Sequence, residues 1–223
     1  MVSHSAAAPS RRAQRRVEQP RSGDERERAI LAAAKVALKA RTFDTMSIAE
    51  LVASAQVSRP SFYFYFASKD ALLATLIEEV LEEIRSNLEL ANAREGADMR
   101  ARVQEGVGHV VVAWLSHPEI LCAAVELSSR LPVVEDMWRR AVIGSVELFL
   151  HRLDLEQISR DPETLRRQAH LLAWGQERNL YNLAKSGGDA AAFEALAVDL
   201  TEMWHSALLV PATFSLQAEG SKR

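Results

Sequence analysis

Arg59 and Tyr63 stand four residues apart in the stretch Ser58-Arg59-Pro60-Ser61-Phe62-Tyr63-Phe64-Tyr65-Phe66. On a helix that spacing puts a forked guanidinium and a phenol on one face, with Ser58 nearby, while Phe62 points elsewhere. Ser58 is a good helix cap and Pro60 suits a first turn, so the stretch opens a short helix. Five aromatics in a row exposed together would be an aggregation liability; the run is either core or in contact with something. A helix that is polar on one side and phenylalanine-lined on the other can lie in a nucleic-acid groove, where Arg59 can donate two hydrogen bonds to a guanine edge. The competing reading of Arg59 is an ordinary solvated arginine.

Other chemistry is sparse. No G-x-G-x-x-G, P-loop, H-E-x-x-H or C-x-x-C pattern occurs, and the expectation is a chain that is not an enzyme. The six histidines are scattered, and Glu202 with His205 gives two potential ligands, too few for a metal site. No metal or cofactor is expected. Cys122, the single cysteine, rules out an internal disulfide, reads as a buried small hydrophobe and fits a reducing, cytoplasmic setting. No apolar run approaches the ~20 residues that cross a bilayer, and the first residues lack the apolar core of a secretory signal, so no membrane role is expected.

The net charge of −3 argues at first against nucleic acid. Its distribution matters more. Five arginines against Glu18 give residues 1–21 a charge of +4, leaving −7 on the other 202 residues. A basic arm on an acidic body suits a local contact with DNA, although a solvated disordered tail has the same composition.

The elements that must position Arg59 and Tyr63 are helical. Apolar residues make up 48% of the chain, with no sustained period-two alternation and no Asn-Gly or Asp-Gly turn. The expectation is all-α, with about nine helices. Ser22 with Glu25 and Ser47 with Glu50 form capping boxes. Three or four residues around Gln56 then join two short helices as a helix-turn-helix, with Gln56 taking the left-handed backbone that such turns often give to glycine. Ser68-Lys69-Asp70 opens a long amphipathic helix that Gly96 should end. Pro118, Pro132 and Pro162 mark later helix starts, giving helices near 98–115, 117–129, 132–153, 162–186 and 189–209. The implied divisions are a disordered basic arm at 1–21, a helix-turn-helix domain at 22–67, a ligand-binding and dimerisation domain at 68–210, and a loose tail at 211–223.

Ser47-Ile-Ala-Glu-Leu-Val, then Val57-Ser-Arg-Pro-Ser-Phe-Tyr-Phe-Tyr-Phe-Ala-Ser-Lys69 and Asp70-Ala-Leu-Leu, resemble the N-terminal domain of TetR-family transcriptional regulators over about residues 24–80. The unbroken Phe-Tyr-Phe-Tyr-Phe after Ser-Arg-Pro is most similar to the ethionamide-resistance repressor group of mycobacteria. The resemblance implies an α-helical homodimer joined by the last two helices, first helices that bind double-stranded operator DNA, and a small hydrophobic effector in the C-terminal domain that releases a repressor from its operator. It also implies that Tyr63 and Tyr65 lie at the DNA and leaves Phe64 on or near that face. Ser58, Pro60 and Ser61 belong to the same surface, the serines being small enough for close approach. Ser47 caps a helix whose amide end can face phosphate, and Lys69, in the first turn after Ser68, is expected on a phosphate too.

In the C-terminal part, Trp114, Trp138, Phe149, Trp174, Gln176, Asn179 and Tyr181 are candidates to line an apolar pocket with a few polar groups. The same spacing serves a plain helical core, and Trp204 is divided between pocket and dimer. Leu172, Leu180, Leu183, Phe193, Leu196, Leu200 and Met203 are expected to face a partner subunit, or to pack within one. The alternative to a regulator is a helical small-molecule carrier, or a protein-interaction module, without DNA binding.

Overall fold

The computed structural model describes residues 22–40, 42–93, 98–152 and 161–209. The arginine-rich arm, the tail at 211–223 and the break at Gly96 lie outside them. Among the described residues there are nine α-helices, a single turn of 3₁₀ helix and no strand.

Helix α1 (Gly23–Ala40) starts on the capping box read from the sequence: Ser22 N–H donates to Glu25 Oε2 at 2.8 Å, and Glu25 N–H to Ser22 Oγ at 3.3 Å. A 3₁₀ turn (Phe43–Thr45) follows, then α2 (Ile48–Ala55). Ser47 caps α2 reciprocally with Glu50, its Oγ accepting from Glu50 N–H at 3.2 Å and its own N–H donating to Glu50 Oε2 at 3.0 Å. Gln56 ends α2 with φ 54° and ψ 43°, the left-handed conformation expected of it. It is the one non-glycine with positive φ among the described residues. Helix α3 (Arg59–Tyr65) then begins under a Ser58 cap, whose Oγ accepts from Ser61 N–H at 3.2 Å.

Helix α4 (Lys69–Asn92), 24 residues and thus about 36 Å long, is capped by Ser68. Its Leu72, Leu73, Leu76, Ile77 and Val80 are buried in one hydrophobic core that runs from Ile30 and Phe62 at one end of the molecule to Trp204 and Leu208 at the other. The body is α5 (Met99–Ser116), α6 (Pro118–Ser128), α7 (Pro132–Arg152), α8 (Pro162–Lys185) and α9 (Ala190–Leu209). Pro118, Pro132 and Pro162 are each the first helical residue, where the missing N–H costs nothing. Helix α8 stops at Gly187 (φ 75°), with Gly188 N–H donating back to Leu183 O at 3.0 Å. Helix α5 runs along α9, α4 lies against α5 and α7, and α8 packs on α6, α7 and α9. That arrangement leaves α1–α3 at one end, joined to the body by α4 and by the approach of α6 to α1.

The left-handed backbone at Gln56 costs about 1 kcal/mol for a residue with a Cβ. Gln56→Gly should therefore raise the urea midpoint, by up to about 1 kcal/mol of stability. A lower midpoint would show that the side chain, not the turn, sets this position.

Candidate nucleic-acid interface and interior cavity

Helix α3 has only seven residues, too few to hold itself helical in water. Two buried rings pin it. Phe62 has no exposed surface and Phe66 is buried beside it, their centroids 5.8 Å apart. With that side fixed, the 100° step of the helix decides the rest. Phe64 is 81% exposed and Tyr63 46% exposed, and Arg59, Pro60 and Ser58 are also exposed. The Arg59 guanidinium carbon lies 5.8 Å from the Tyr63 ring centroid, a cation–π distance that orders both side chains on one outward surface. Ser61 is half-buried. Tyr65 is half-buried against the core, its ring edge-on to Phe64 at 4.9 Å. Ser47 is exposed at the start of α2, with its hydroxyl engaged in the cap.

Lys69 departs from expectation. Its ammonium points inward, donating to the carbonyls of Phe43 (2.9 Å), Asp44 (3.3 Å) and Met46 (2.9 Å), and sits 4.5 Å from the Phe43 ring centroid. All three N–H bonds are engaged, so the ammonium has no donor left for phosphate. Lys69 instead holds the 3₁₀ turn that leads into α2. Asp44, in the same turn, accepts from Arg130 Nη2 through both carboxylate oxygens (3.1 and 3.0 Å), tying this end of the molecule to the body between α6 and α7.

A cavity of about 120 Å³ lies inside the body between α4, α5, α7, α8 and α9. Trp114, Trp138, Phe149 and Gln176 line it, as expected, and so do Trp204, Arg102, Glu105 and Glu177. Trp114 meets Trp138 edge-to-face at 6.1 Å, and Phe149 meets Trp204 at 5.6 Å. Trp204 Nε1 donates to Gln176 Oε1 at 2.8 Å, so the Gln176 carbonyl is spent on holding the wall. Trp174, Asn179 and Tyr181 do not line it. Trp174 is 39% exposed on the outer side of α8; Asn179 is exposed and its amide donates to Gly175 O of its own helix at 2.8 Å; Tyr181 donates to Glu126 on α6. All three lie off the inward stripe of α8, which runs Leu165, Ala169, Ala173, Gln176, Glu177, Leu180. That stripe is also the signal by which Glu177, which sequence reasoning missed, could have been found: a carboxylate on an otherwise inward helical spacing. For the set expected either at a partner or within the subunit, packing within the subunit accounts for the buried members. Leu180, Phe193 and Leu200 are buried inside the subunit and Leu172, Leu183, Leu196 and Met203 are partly buried in its core, whereas Leu171, Trp174 and Val198 project outward.

Glu177 is 6% exposed, and burial pushes its carboxyl up from the ordinary 4.5; Arg178 and the nearby Trp138 indole pull it partly back. The Trp138 N–H nevertheless has no hydrogen-bond partner of proper geometry. Burial likewise pushes the Cys122 thiol up to about 11, so it stays a neutral small hydrophobe.

Two measurements follow from these placements. Lys69→Met should cost about 2 kcal/mol by removing charge-assisted bonds to three carbonyls, lowering the melting temperature; a surface phosphate ligand would leave it unchanged. For Glu177 the folded carboxyl holds its proton more tightly than the unfolded one. The stability this gives is complete below the ordinary value of 4.5 and is lost as pH rises through the raised one. Glu177→Gln should therefore melt above wild type at pH 8, the gap closing toward pH 4; equal melting at both pH values would remove the strain assigned to this carboxyl.

Residues 30–76 match the TetR_N model of bacterial regulatory proteins of the tetR family. The chain is 35% identical over 117 residues to the HTH-type transcriptional regulator EthR of Mycolicibacterium smegmatis, covering 52% of this chain and 54% of that one. It is 33% identical over 139 residues to EthR of Mycobacterium tuberculosis, covering 62% and 64%. The chain thus spans between about half and just under two thirds of the length of these relatives. Among solved structures it is similar to a tetR-family transcriptional regulator from Streptomyces coelicolor (TM-score 0.65, 17% identity, 82% of this chain and 79% of that one). It is also similar to a putative TetR-family regulator from Syntrophomonas wolfei (TM-score 0.68, 15% identity, 86% and 100%); at such identities the likeness is one of fold. Over residues 30–76, the part that carries the helix-turn-helix and its aromatic α3, the chain matches the TetR_N model, and beyond it the chain is similar in sequence to the EthR regulators and in fold to the TetR-family structures.

Proposed function

We propose that this chain is a DNA-binding transcriptional regulator, a repressor that leaves its operator when a small, mostly apolar effector occupies the cavity. The observation that carries the reading is the outward face of α3. Arg59, Tyr63 and Phe64 stand together, and Phe64, 81% exposed, leaves most of its ring in water with only the Tyr65 ring edge-on to it. In a major groove Arg59 donates to a guanine edge, Tyr63 to phosphate, and Phe64 packs on a thymine methyl or sugar. The exposed starts of α2 and α3, at Ser47 and Ser58, add backbone N–H groups for phosphate, and Pro60, Ser61 and Tyr65 complete the surface.

A pseudo-palindromic operator requires two such heads. We take the outer faces of α8 and α9, with Leu171, Trp174 and Val198 exposed, as the homodimer surface. Effector and operator then communicate through α4, which lines the cavity with Leu81, Ile84 and Leu88 and begins at the Lys69 tie beneath the 3₁₀ turn. The Arg130–Asp44 pair gives a second link from body to head. Whatever factor the effector takes from operator affinity, the operator takes from effector affinity.

A helical carrier would also have an interior cavity, but it has no use for an exposed Arg59–Tyr63–Phe64 face. An electrophoretic shift with DNA from directly upstream of the chain's own coding sequence separates the two. Wild type should bind, and the affinity should fall steeply between 50 and 200 mM salt, on the order of 10³-fold. Arg59→Ala should lose about 1–3 kcal/mol of discrimination between operator and unrelated DNA. A salt-insensitive or absent shift, or an Arg59→Ala variant with unchanged discrimination, would contradict the reading.

A further inference from the structure

We infer that the cavity selects an apolar molecule bearing one cationic nitrogen, its charge set against the Glu177 carboxylate and its body among the Trp114, Trp138, Trp204 and Phe149 rings. The inference rests on the proposal that the cavity is a ligand site and specifies the ligand.

A carboxyl group inside an apolar lining is retained at a cost unless something pairs with it. Within the subunit the pairing of Glu177 is incomplete. Arg178 Nε stands 3.8 Å from Glu177 Oε2, beyond hydrogen-bond reach, and the same guanidinium lies over the Tyr181 ring at 5.2 Å with much of its surface in water. Trp138 lines this cavity, and its buried indole N–H, near the Glu177 carboxyl, makes no hydrogen bond of proper geometry. An acceptor and a donor therefore wait side by side in a site lined by rings.

Charge decides between ligand classes. Three charged residues line the cavity: Arg102 and Glu105, three positions apart on α5 and both half-exposed, and Glu177 in the buried part. The first two carry opposite charges near one another, and Arg178, 3.8 Å from Glu177 but mostly in water, offsets only part of its charge, so the interior field is that of one partly screened carboxylate. An organic anion meets repulsion there, and a neutral chain leaves Glu177 as incompletely paired as before. A cation pairs with it, fixes it ionised so that it can accept the Trp138 N–H, and gains the attraction of the ring faces for positive charge. The wall supplies three indoles, the strongest ring for that purpose.

Size narrows the choice. A cavity of 120 Å³ corresponds to roughly ten water-sized spaces, enough for about ten heavy atoms. The probes are n-decylamine, 1-decanol and decanoate at pH 7 and at concentrations below micelle formation, with binding read from quenching of the tryptophans that line the site. Decylammonium should bind at least about tenfold more tightly than decanol, and decanoate most weakly. Glu177→Gln, nearly isosteric and checked for its helical circular dichroism, should abolish the preference for the amine while leaving decanol affinity within about twofold. Decanol binding as tightly as the amine would overturn the charge selection and leave the cavity a ligand site. An amine preference that survives in Glu177→Gln would overturn it too, by assigning the preference to the acidic surface. Failure of all three probes to bind wild type would overturn both the inference and the reading of the cavity beneath it.

Discussion

The burial of Phe62 and Phe66 is the constraint from which the functional end of this molecule follows. A seven-residue helix has no stability of its own to spare. Fully burying each phenylalanine contributes roughly 2–3 kcal/mol, and the Ser58 cap adds about 1 kcal/mol. With two rings on the inside, helical geometry leaves no freedom for the others. Arg59, Tyr63 and Phe64 must face water, at the cost of exposing an aromatic ring. The same sequence that supplies the anchor therefore supplies the surface, and neither can be altered by a shift of register without undoing the other.

The next level of support is polar. The Lys69 ammonium, arriving at the start of α4, donates to three carbonyls of the 3₁₀ turn and its C-terminal cap, those of Phe43, Asp44 and Met46. The head is thereby fixed to the N-terminal end of the helix whose middle lines the cavity. Arg130 reaches the same turn through Asp44, though an exposed ion pair of this kind adds little stability by itself. Its interest lies in where it is: one residue of the turn is held by α4 and by the body at once. The turn thus lies between α4 and the α6–α7 junction on one side and α2 on the other.

Much of this was legible in the sequence because caps and turns are local. Ser22 with Glu25, Ser47 with Glu50, the helix-starting prolines and even the left-handed backbone at Gln56 depend on residues a few positions apart. The face of α3 was legible for the same reason. Lys69 was not: its partners lie 23 to 26 positions earlier, and no local rule distinguishes an ammonium that caps a distant turn from one that awaits a phosphate. The cavity was half legible. Choosing its walls by residue type found Trp114, Trp138, Phe149 and Gln176 but also took in Trp174, Asn179 and Tyr181, which the turn of α8 carries to its outside. Choosing by helical position would have excluded those three and found Glu177. The apolar residues of α8 and α9 were left divided between a partner and the subunit's own core, and Leu180, Phe193 and Leu200 are buried in the core, since apolar residues at helical spacing serve it first.

The central claim, that α3 offers Tyr63 and Phe64 to DNA while Phe62 anchors it, is tested most directly by hydroxyl-radical oxidation of the side chains, located by mass spectrometry, with and without DNA from upstream of the coding sequence. Free protein should oxidise at Tyr63 and Phe64 and stay unmodified at Phe62; DNA should protect Tyr63 and Phe64 and leave other exposed positions, such as Leu171, as reactive as before. Oxidation of Phe62 in the free protein, or undiminished oxidation of Tyr63 and Phe64 with DNA present, would contradict the account.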